Sequence, residues 1–398
     1  MKKALVLLAV VSMMASCRPV SEGFLHTDGR HIVNGKGEFV LLRGIGLGGW
    51  MLQEPYMLKL SGVAPAQYDI KNRIASLTGE ERCAEFYDAW LANMVTRRDI
   101  DSLKAWGFNS VRLAMHYNLF TPPVEEEPVA GENSWLEKGF VMTDSLLSWC
   151  SANEIYLILD LHAAPGGQGN DIPIADVDTT KAKLWDNELN RKKSVALWGK
   201  LAERYRGEPW IGGYDLINET NYPLEDNAEL RRLFIEITGA IRAVDTNHII
   251  FIEGNHFATD FRGVTPPWDD NLVYSFHKYW NPTTVETIQK YLDIRDEHNV
   301  PLWMGESGEN NNEWYRAAVQ LFEADSIGWA WWTLKKLGSE SGIMNVTPPE
   351  GYLQIIDYWK GTGPAPSPDE AHVALMQLTE NIRIENCTVN YGVLTALF

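Results

Sequence analysis

The chain has 398 residues, 45% of them apolar, with sixteen tryptophans and a formal net charge of −18. That length is long for an ordinary single domain and usual for an α/β barrel with long loops. The acidic balance, with no basic stripe, argues against a phosphate-backbone ligand, so no nucleic-acid partner is expected.

The chain starts MKKALVLLAVVSMMASC, in which Lys2 and Lys3 precede an apolar run at 4–11 and small residues before Cys17. This is the pattern of a secretory signal, and the run is too short to span a bilayer. Met14-Ala15-Ser16-Cys17 resembles a bacterial lipoprotein box. Residues 1–16 are then a signal peptide, Cys17 is the acylated first mature residue, and 17–23 form a tether. On this reading the protein is exported and held at an outer membrane or cell surface by lipid alone. An ordinary cleaved signal would make it periplasmic or secreted. Cys83, Cys150 and Cys387 allow at most one disulfide, and their spacing selects none; free, mostly buried thiols are expected.

The segment FLHTDGRHIV reads as a β-hairpin with Asp28-Gly29 at its turn, placed to plug the bottom of a barrel. Apolar runs follow at 40–45, 110–114, 155–161, 213–217, 249–253, 272–276, 302–304 and 328–333. Helix-like stretches, such as 194–205, 229–244, 285–297 and 313–324, alternate with them. Eight strand-then-helix units in a row predict an α/β fold, a (β/α)8 TIM barrel, with residues 24–398 as one catalytic domain. The polar stretches 121–134, 163–186 and 337–369 are expected to be loops after strands, which places them on the C-terminal face that carries barrel chemistry.

Polar and aromatic residues gather where the runs end. The first leads to Trp50 and Glu54 in RGIGLGGWMLQEPYM. The second carries Arg112 and then His116, and the third Asp160 and His162 in DLHAAPGGQGND. The fourth leads to Asn218 and Glu219 in YDLINETN, and the sixth to His277 and Tyr279 in FHKYW. The seventh leads to Glu306 in MGES, and the eighth carries Trp332 in GWAWWTLKK. A lone His or Trp at such a place is usually packing; this concentration on one rim is hard to explain that way. Two glutamates after strands four and seven, facing each other across a barrel mouth, suit retaining glycoside hydrolysis. One would protonate the leaving oxygen, and the other would attack the anomeric carbon.

These motifs, spread from Arg43 to the last strand, resemble glycoside hydrolase family 5, the cellulase-A family of retaining barrel hydrolases. The resemblance implies that Glu219 is the acid/base and Glu306 the nucleophile. It implies that Asn218 binds the sugar 2-hydroxyl and that Arg112 holds the nucleophile ionised. His162, His277 and Tyr279 would be supporting residues, and Trp332 a platform under the reacting sugar. A cation beside the nucleophile is expected to lower its pKa. The family usually has proline after the acid/base, where this chain has Thr220, which leaves the local backbone less restricted.

The first-strand motif and DLHAAPGGQGND partly resemble the exo-β-1,3-glucanase branch. That resemblance implies that Glu54 contacts a terminal glucose. It also makes Asp171, displaced by one residue from the matching position, a possible sugar contact. The expected substrate is a β-linked glucan or oligosaccharide, cut by an exo-β-1,3-glucanase-like or an endo-β-1,4-glucanase activity; mannan or another β-glycan is an alternative. A surface lipoprotein that binds glycan without cleaving it could keep the tryptophans but has no need of Glu219, Glu306, Arg112 and Asn218 together. A metal-dependent barrel hydrolase usually carries a His-x-His pair, and none occurs among the nine histidines. No catalytic metal or cofactor is expected, and the oligomeric state is open.

Overall fold

The computed structural model describes residues 23–398. The signal segment 1–16, Cys17 and the tether up to residue 22 lie outside the described residues. Strands β1 (His26–Asp28) and β2 (His31–Val33) form the hairpin. Asp28 pairs with His31, so the turn residues are Gly29 and Arg30 rather than Asp28 and Gly29, with Gly29 at φ +56°. A positive φ at the first turn position suits glycine, which has no Cβ to clash.

Eight parallel strands then close a barrel: β3 (Arg43–Gly46), β4 (Ser110–His116), β5 (Tyr156–Ala163), β6 (Ile211–Asp215), β7 (Ile249–Glu253), β8 (Leu272–His277), β9 (Leu302–Gly308) and β10 (Gly328–Trp332). Each pairs with the next, and β10 returns to β3. The chain is a (β/α)8 TIM barrel. Both faces of these strands are covered, which is why β5 (YLILDLHA) and β7 (IIFIE) read as near-continuous apolar runs and are buried throughout. Leu25 and Ile32 of the hairpin segment join Tyr156, Ile158, Ile249, Phe251, Val273 and Trp303 in a core of their own at the N-terminal mouth. Each such apolar side chain contributes about 1.5–3 kcal/mol on burial, so the hairpin is a plug and not an appendage.

Helices cover the outside. In Ala228–Arg242 the buried Leu230, Leu233, Phe234, Ile237 and Ile241 recur at three- and four-residue spacing, one apolar stripe turned to the sheet. Two expectations need correction. The link from β7 to β8 has no full helix, only the four-residue turn Asn255–Ala258, because Gly254, Gly263, Pro266 and Pro267 interrupt it. The stretch 337–369 is not a loop throughout. It holds part of β11 (Lys335–Leu337), β12 (Met344–Val346), the helix Glu350–Trp359 and the start of Pro368–Asn381. Pro349 sits just before the first helix, and Tyr352, Ile355 and Ile356 form its buried stripe. A last short strand, β13 (Thr388–Val389), pairs with β12. Cys83 and Cys150 are buried free thiols, and Cys387 is a half-buried one. Among the described residues no helix is long and apolar enough to cross a membrane.

Candidate active site

At the C-terminal mouth, Arg112 of β4 is fully buried and reaches four carboxylates. Its Nε donates to Asp215 Oδ2 at 2.9 Å, Nη1 to Glu306 Oε2 at 3.0 Å, and Nη2 to Glu253 Oε1 at 2.7 Å. Asp160 Oδ1 lies 3.2 Å from the same Nη2, which also donates to Asn218 Oδ1 at 2.8 Å. Burial alone would disfavour this charge, but the four carboxylates hold the guanidinium pKa well above its ordinary value. Glu306 lies within β9, with Tyr279 Oη donating to its Oε1 at 2.6 Å.

Glu219 sits beyond the end of β6, at φ +38°, an unfavourable backbone for a residue with a side chain. The peptide is pinned on three sides. Asn218 N–H donates to Leu161 O, Glu219 N–H donates to Glu253 Oε2 at 2.7 Å, and Thr220 O accepts from Phe257 N–H. These bonds restrict the backbone where the family usually has proline. His277 Nδ1 meets Glu219 Oε1 at 2.7 Å, and its Nε2 lies 3.2 Å from Glu253 Oε1. Burial disfavours the imidazolium; the Glu253 and Glu306 charges outweigh it and raise the His277 pKa well above the usual value. In return, although burial opposes it, His277 and Arg112 bring Glu253 down to about 2. Asp215 is pushed well above the carboxylate range by burial and by the Glu253 charge.

A Glu219 oxygen and a Glu306 oxygen lie within 4.8 Å of each other. Glu219, His277 and Glu306, and separately Asp160, Asp215 and Glu253, come close enough to share a cation. In this fold His277 and Arg112 supply the positive charge to both groups. The net effect on Glu306 is upward: burial raises its pKa, Glu219 adds to that, and His277 and Arg112 only oppose it. Arg112 does lower it, as expected of a cation beside this carboxyl, but the desolvation cost exceeds what the cations supply and the net shift is upward.

A cavity of about 500 Å³ opens above this pair, lined by Glu54, Tyr56, His162, Asp171, Glu219, Tyr279, Glu306 and Trp332 among others. Trp332 forms one wall, its indole N–H donating to Tyr56 Oη at 2.8 Å. A Cβ on Gly46 or Gly48 would fall 2.6 or 2.4 Å from the indole ring, so these glycines make room for it. His162 stacks parallel to Trp332 with ring centroids 5.1 Å apart. Asn218 Nδ2 lies 3.3 Å from His162 Nε2, which leaves His162 Nδ1–H to donate to Asp160 at 2.7 Å. Glu54 is 7% exposed and lines the cavity, yet its carboxyl has no hydrogen-bond or ion-pair partner among the described residues. Burial and the charges of Glu306, Glu219, Asp171 and Glu309 raise its pKa well above the ordinary value. Asp171 is raised by burial and by Glu219.

Five candidates stand outside the cavity lining: Arg112, Asn218 and His277, which bond to the two glutamates or to their partners, and Trp50 and His116, which do not. Trp50 is a core residue whose indole N–H donates to Leu91 O at 2.8 Å. His116 is buried, with Nε2 2.9 Å from Asp176 Oδ2, and ties down the 163–186 loop. Sequence reasoning missed Asp215 and Glu253, the inner partners of Arg112. It also missed Tyr56, Phe257, Trp280 and Glu309 on the cavity wall. Glu253 left a signal: a charged residue closing the apolar run IIFIE, on the one run to which no rim residue was assigned.

Three relatives illustrate the kinship of the chain. A protein named "Beta-xylosidase" from Phanerodontia chrysosporium is 29% identical over 368 residues, covering 83% of this chain and 75% of that protein. "Endoglucanase C" of Acetivibrio thermocellus is 24% identical over 359 residues, covering 75% and 92%. "Probable glucan 1,3-beta-glucosidase A" of Aspergillus clavatus is 24% identical over 290 residues, covering 69% and 63%. Residues 68–338 match the family model described as cellulase (glycosyl hydrolase family 5). The chain therefore belongs to the cellulase family, glycosyl hydrolase family 5, and is a glycoside hydrolase of the β-glucanase/cellulase type acting on β-glycans.

Proposed function

We propose that the protein hydrolyses β-glucosidic bonds of a β-glucan by double displacement, with Glu306 as nucleophile and Glu219 as acid/base, and removes units from a chain end. The observation that carries the mechanism is the close approach of the two carboxyl groups, within 4.8 Å at their nearest oxygens. Retaining hydrolysis uses a separation of about 5–5.5 Å, whereas inverting enzymes need about 6.5–9.5 Å to seat a water. In the first step Glu306 Oε attacks the anomeric carbon while Glu219 passes its proton to the leaving oxygen. Arg112 and Tyr279 hold the attacking carboxylate in line. In the second step Glu219 takes a proton from water, which displaces Glu306 from the anomeric carbon. Trp332 supports the sugar ring in both. Glu219→Ala should slow substrates with poor leaving groups by roughly 10²–10⁴-fold and activated aryl glycosides far less. Equal losses on both would remove Glu219 from the acid role.

The chain-end reading rests on Glu54. Its unpartnered, buried carboxyl points to a ligand that satisfies it, and hydroxyls of a terminal sugar would do so. Burial and the neighbouring carboxylates favour its protonated form, which can donate one hydrogen bond and accept another. Glu54→Leu should lower kcat/KM on short β-glucosides by about 10–100-fold, the cost of leaving a sugar hydroxyl unpaired. Glu54→Gln, neutral and still able to donate and accept, should lose less. Glucose released from a long β-glucan in the first minutes, with slow loss of viscosity, is the expected profile. Rapid viscosity loss with mixed oligosaccharides would mean chain-internal cleavage and would deny Glu54 this role. The β-xylosidase relative supports a second reading, a xylose unit in the same cavity; rates on matched aryl β-xylosides and β-glucosides decide between them.

A further inference from the structure

The segment DLHAAPGGQGND brings Asp171 to the cavity, but its glutamine has no part in the chemistry described so far. Gln168 is fully buried, and both ends of its amide are used. Its Oε1 accepts from Ala164 N–H at 3.1 Å, and its Nε2 donates to His162 O at 2.7 Å and to Asn218 O at 2.8 Å. One acceptor and two donors on a single planar group is what a primary amide supplies. The opposite amide orientation would set an oxygen against two carbonyl oxygens, so the bonding partners fix the assignment.

The backbone turns to put the glutamine there. Gly166 and Gly167 stand at φ +78° and +79°, where a residue without a Cβ is at ease. A Cβ on Gly167 would fall 2.7 Å from Val177 Cγ2. Gly167 N–H donates to Ala164 O at 2.8 Å, Leu184 N–H donates to Gly167 O at 3.1 Å, and the Trp185 indole N–H donates to Gln168 O at 2.8 Å. Just beyond, Gly169 pairs in parallel with Asn221, and Asn170 N–H donates to Asn221 O at 2.9 Å. Residues 168–170 thus run beside 218–221 as a brace, itself tied down from the far end of the loop.

What the brace holds is one peptide unit. The link from Asn218 to Glu219 has its C=O on Gln168 Nε2 at 2.8 Å and its N–H on Glu253 Oε2 at 2.7 Å. A planar peptide clamped at both polar groups cannot turn over without breaking one of the two bonds. Its orientation sets φ of Glu219, which at +38° lies where a residue with a side chain is disfavoured and neighbours must hold it. A turn of this peptide swings the Cα–Cβ bond of Glu219, and with it the carboxyl that now lies within 4.8 Å of a Glu306 oxygen. The two clamps come from different elements, Glu253 from β7 and Gln168 from the loop after β5.

We propose that Gln168 is a positioning residue for proton transfer: it holds the Asn218–Glu219 peptide in the orientation that aims the Glu219 carboxyl at the leaving oxygen. The proposal rests on the catalytic reading above, and its test separates the two. Gln168→Met keeps the length of the side chain and removes all three bonds. On a series of aryl β-glucosides, kcat/KM should fall about 10–100-fold for the poorest leaving group, the range for a reacting group misplaced by about an ångström. For a dinitrophenyl glucoside, which leaves without a proton, the loss should stay below about threefold. General damage to the fold would lower activity on every substrate in the same proportion. If Gln168→Met does not fold, Gly169→Val, whose Cβ would stand 3.2 Å from Asn221 N, pushes the brace off the same segment and is read in the same way. No loss, or equal losses across the series in the variant that folds, overturns the proposal. Glu219→Ala is the control. A steep leaving-group dependence there beside a flat series in Gln168→Met removes Gln168 alone, whereas a flat series in Glu219→Ala itself removes the catalytic reading.

Discussion

Glu306→Ala is expected to lower turnover by roughly four orders of magnitude or more while leaving the protein folded. On the proposed mechanism the glycosyl-enzyme forms on this carboxylate, so its removal should block the first step. Azide should enter the vacated space and attack an activated aryl β-glucoside directly, giving the inverted glycosyl azide at a partly restored rate. Stability should not fall. Burial raises the Glu306 pKa, so the folded protein binds this proton more tightly than the unfolded chain does, and above the ordinary carboxyl range ionising the group costs folding free energy. Alanine removes that cost, and Arg112 keeps Asp160, Asp215 and Glu253 as partners. Hydrolysis at a substantial fraction of the native rate, or no azide product, would falsify the nucleophile assignment.

Arg112→Met is expected to damage both stability and chemistry. The side chain has no exposure and is ion-paired to four carboxylates. Removing one side of a buried ion pair costs about 3–5 kcal/mol, because the remaining charge is left uncompensated. Methionine fills similar space, so the loss is electrostatic rather than a cavity. Arg112 also opposes the upward shift of Glu306. Without it, protonation of Glu306 moves to higher pH, and the acid limb of the kcat/KM profile should move up with it. Arg112→Lys keeps one charge but cannot reach this many partners at once, and should fall between the two. Denaturant unfolding and a pH series on an aryl β-glucoside test both effects. An unmoved acid limb would mean that Arg112 acts only as a structural tie.

The rim residues were legible because each lies within or just past an apolar run: a charged or aromatic side chain where the strand pattern breaks leaves few places to point. Glu219, Glu306, Arg112, His162, His277 and Trp332 are all of this kind. Trp50 and His116 sit at similar breaks but turn away from the cavity, to Leu91 O and to Asp176. Run ends alone do not say which way a side chain turns. Tyr56, Glu309 and Trp280 come from the loops after strands, where side-chain direction has no period to betray it. The helix Glu350–Trp359 was hidden for a related reason, because its short apolar stripe is flanked by proline, glycine and charge.

Periodicity in this chain determines the barrel. Alternation of buried runs with amphipathic stretches admits few other ways to cover both faces of each strand, and right-handed crossovers then order the strands. The same pattern puts Glu219 and Glu306 on one mouth, since both follow strands of a parallel sheet. Tertiary structure alone decided the surroundings of those carboxylates. The separation within 4.8 Å, the upward rather than downward shift of Glu306, and the raised pKa of the unpartnered Glu54 all arise from burial among charges far apart in sequence. Desolvation and Coulomb energy depend on distance in space and on excluded water. Residues such as Arg112, Asp215, Glu253 and Glu306 reveal neither until the barrel closes.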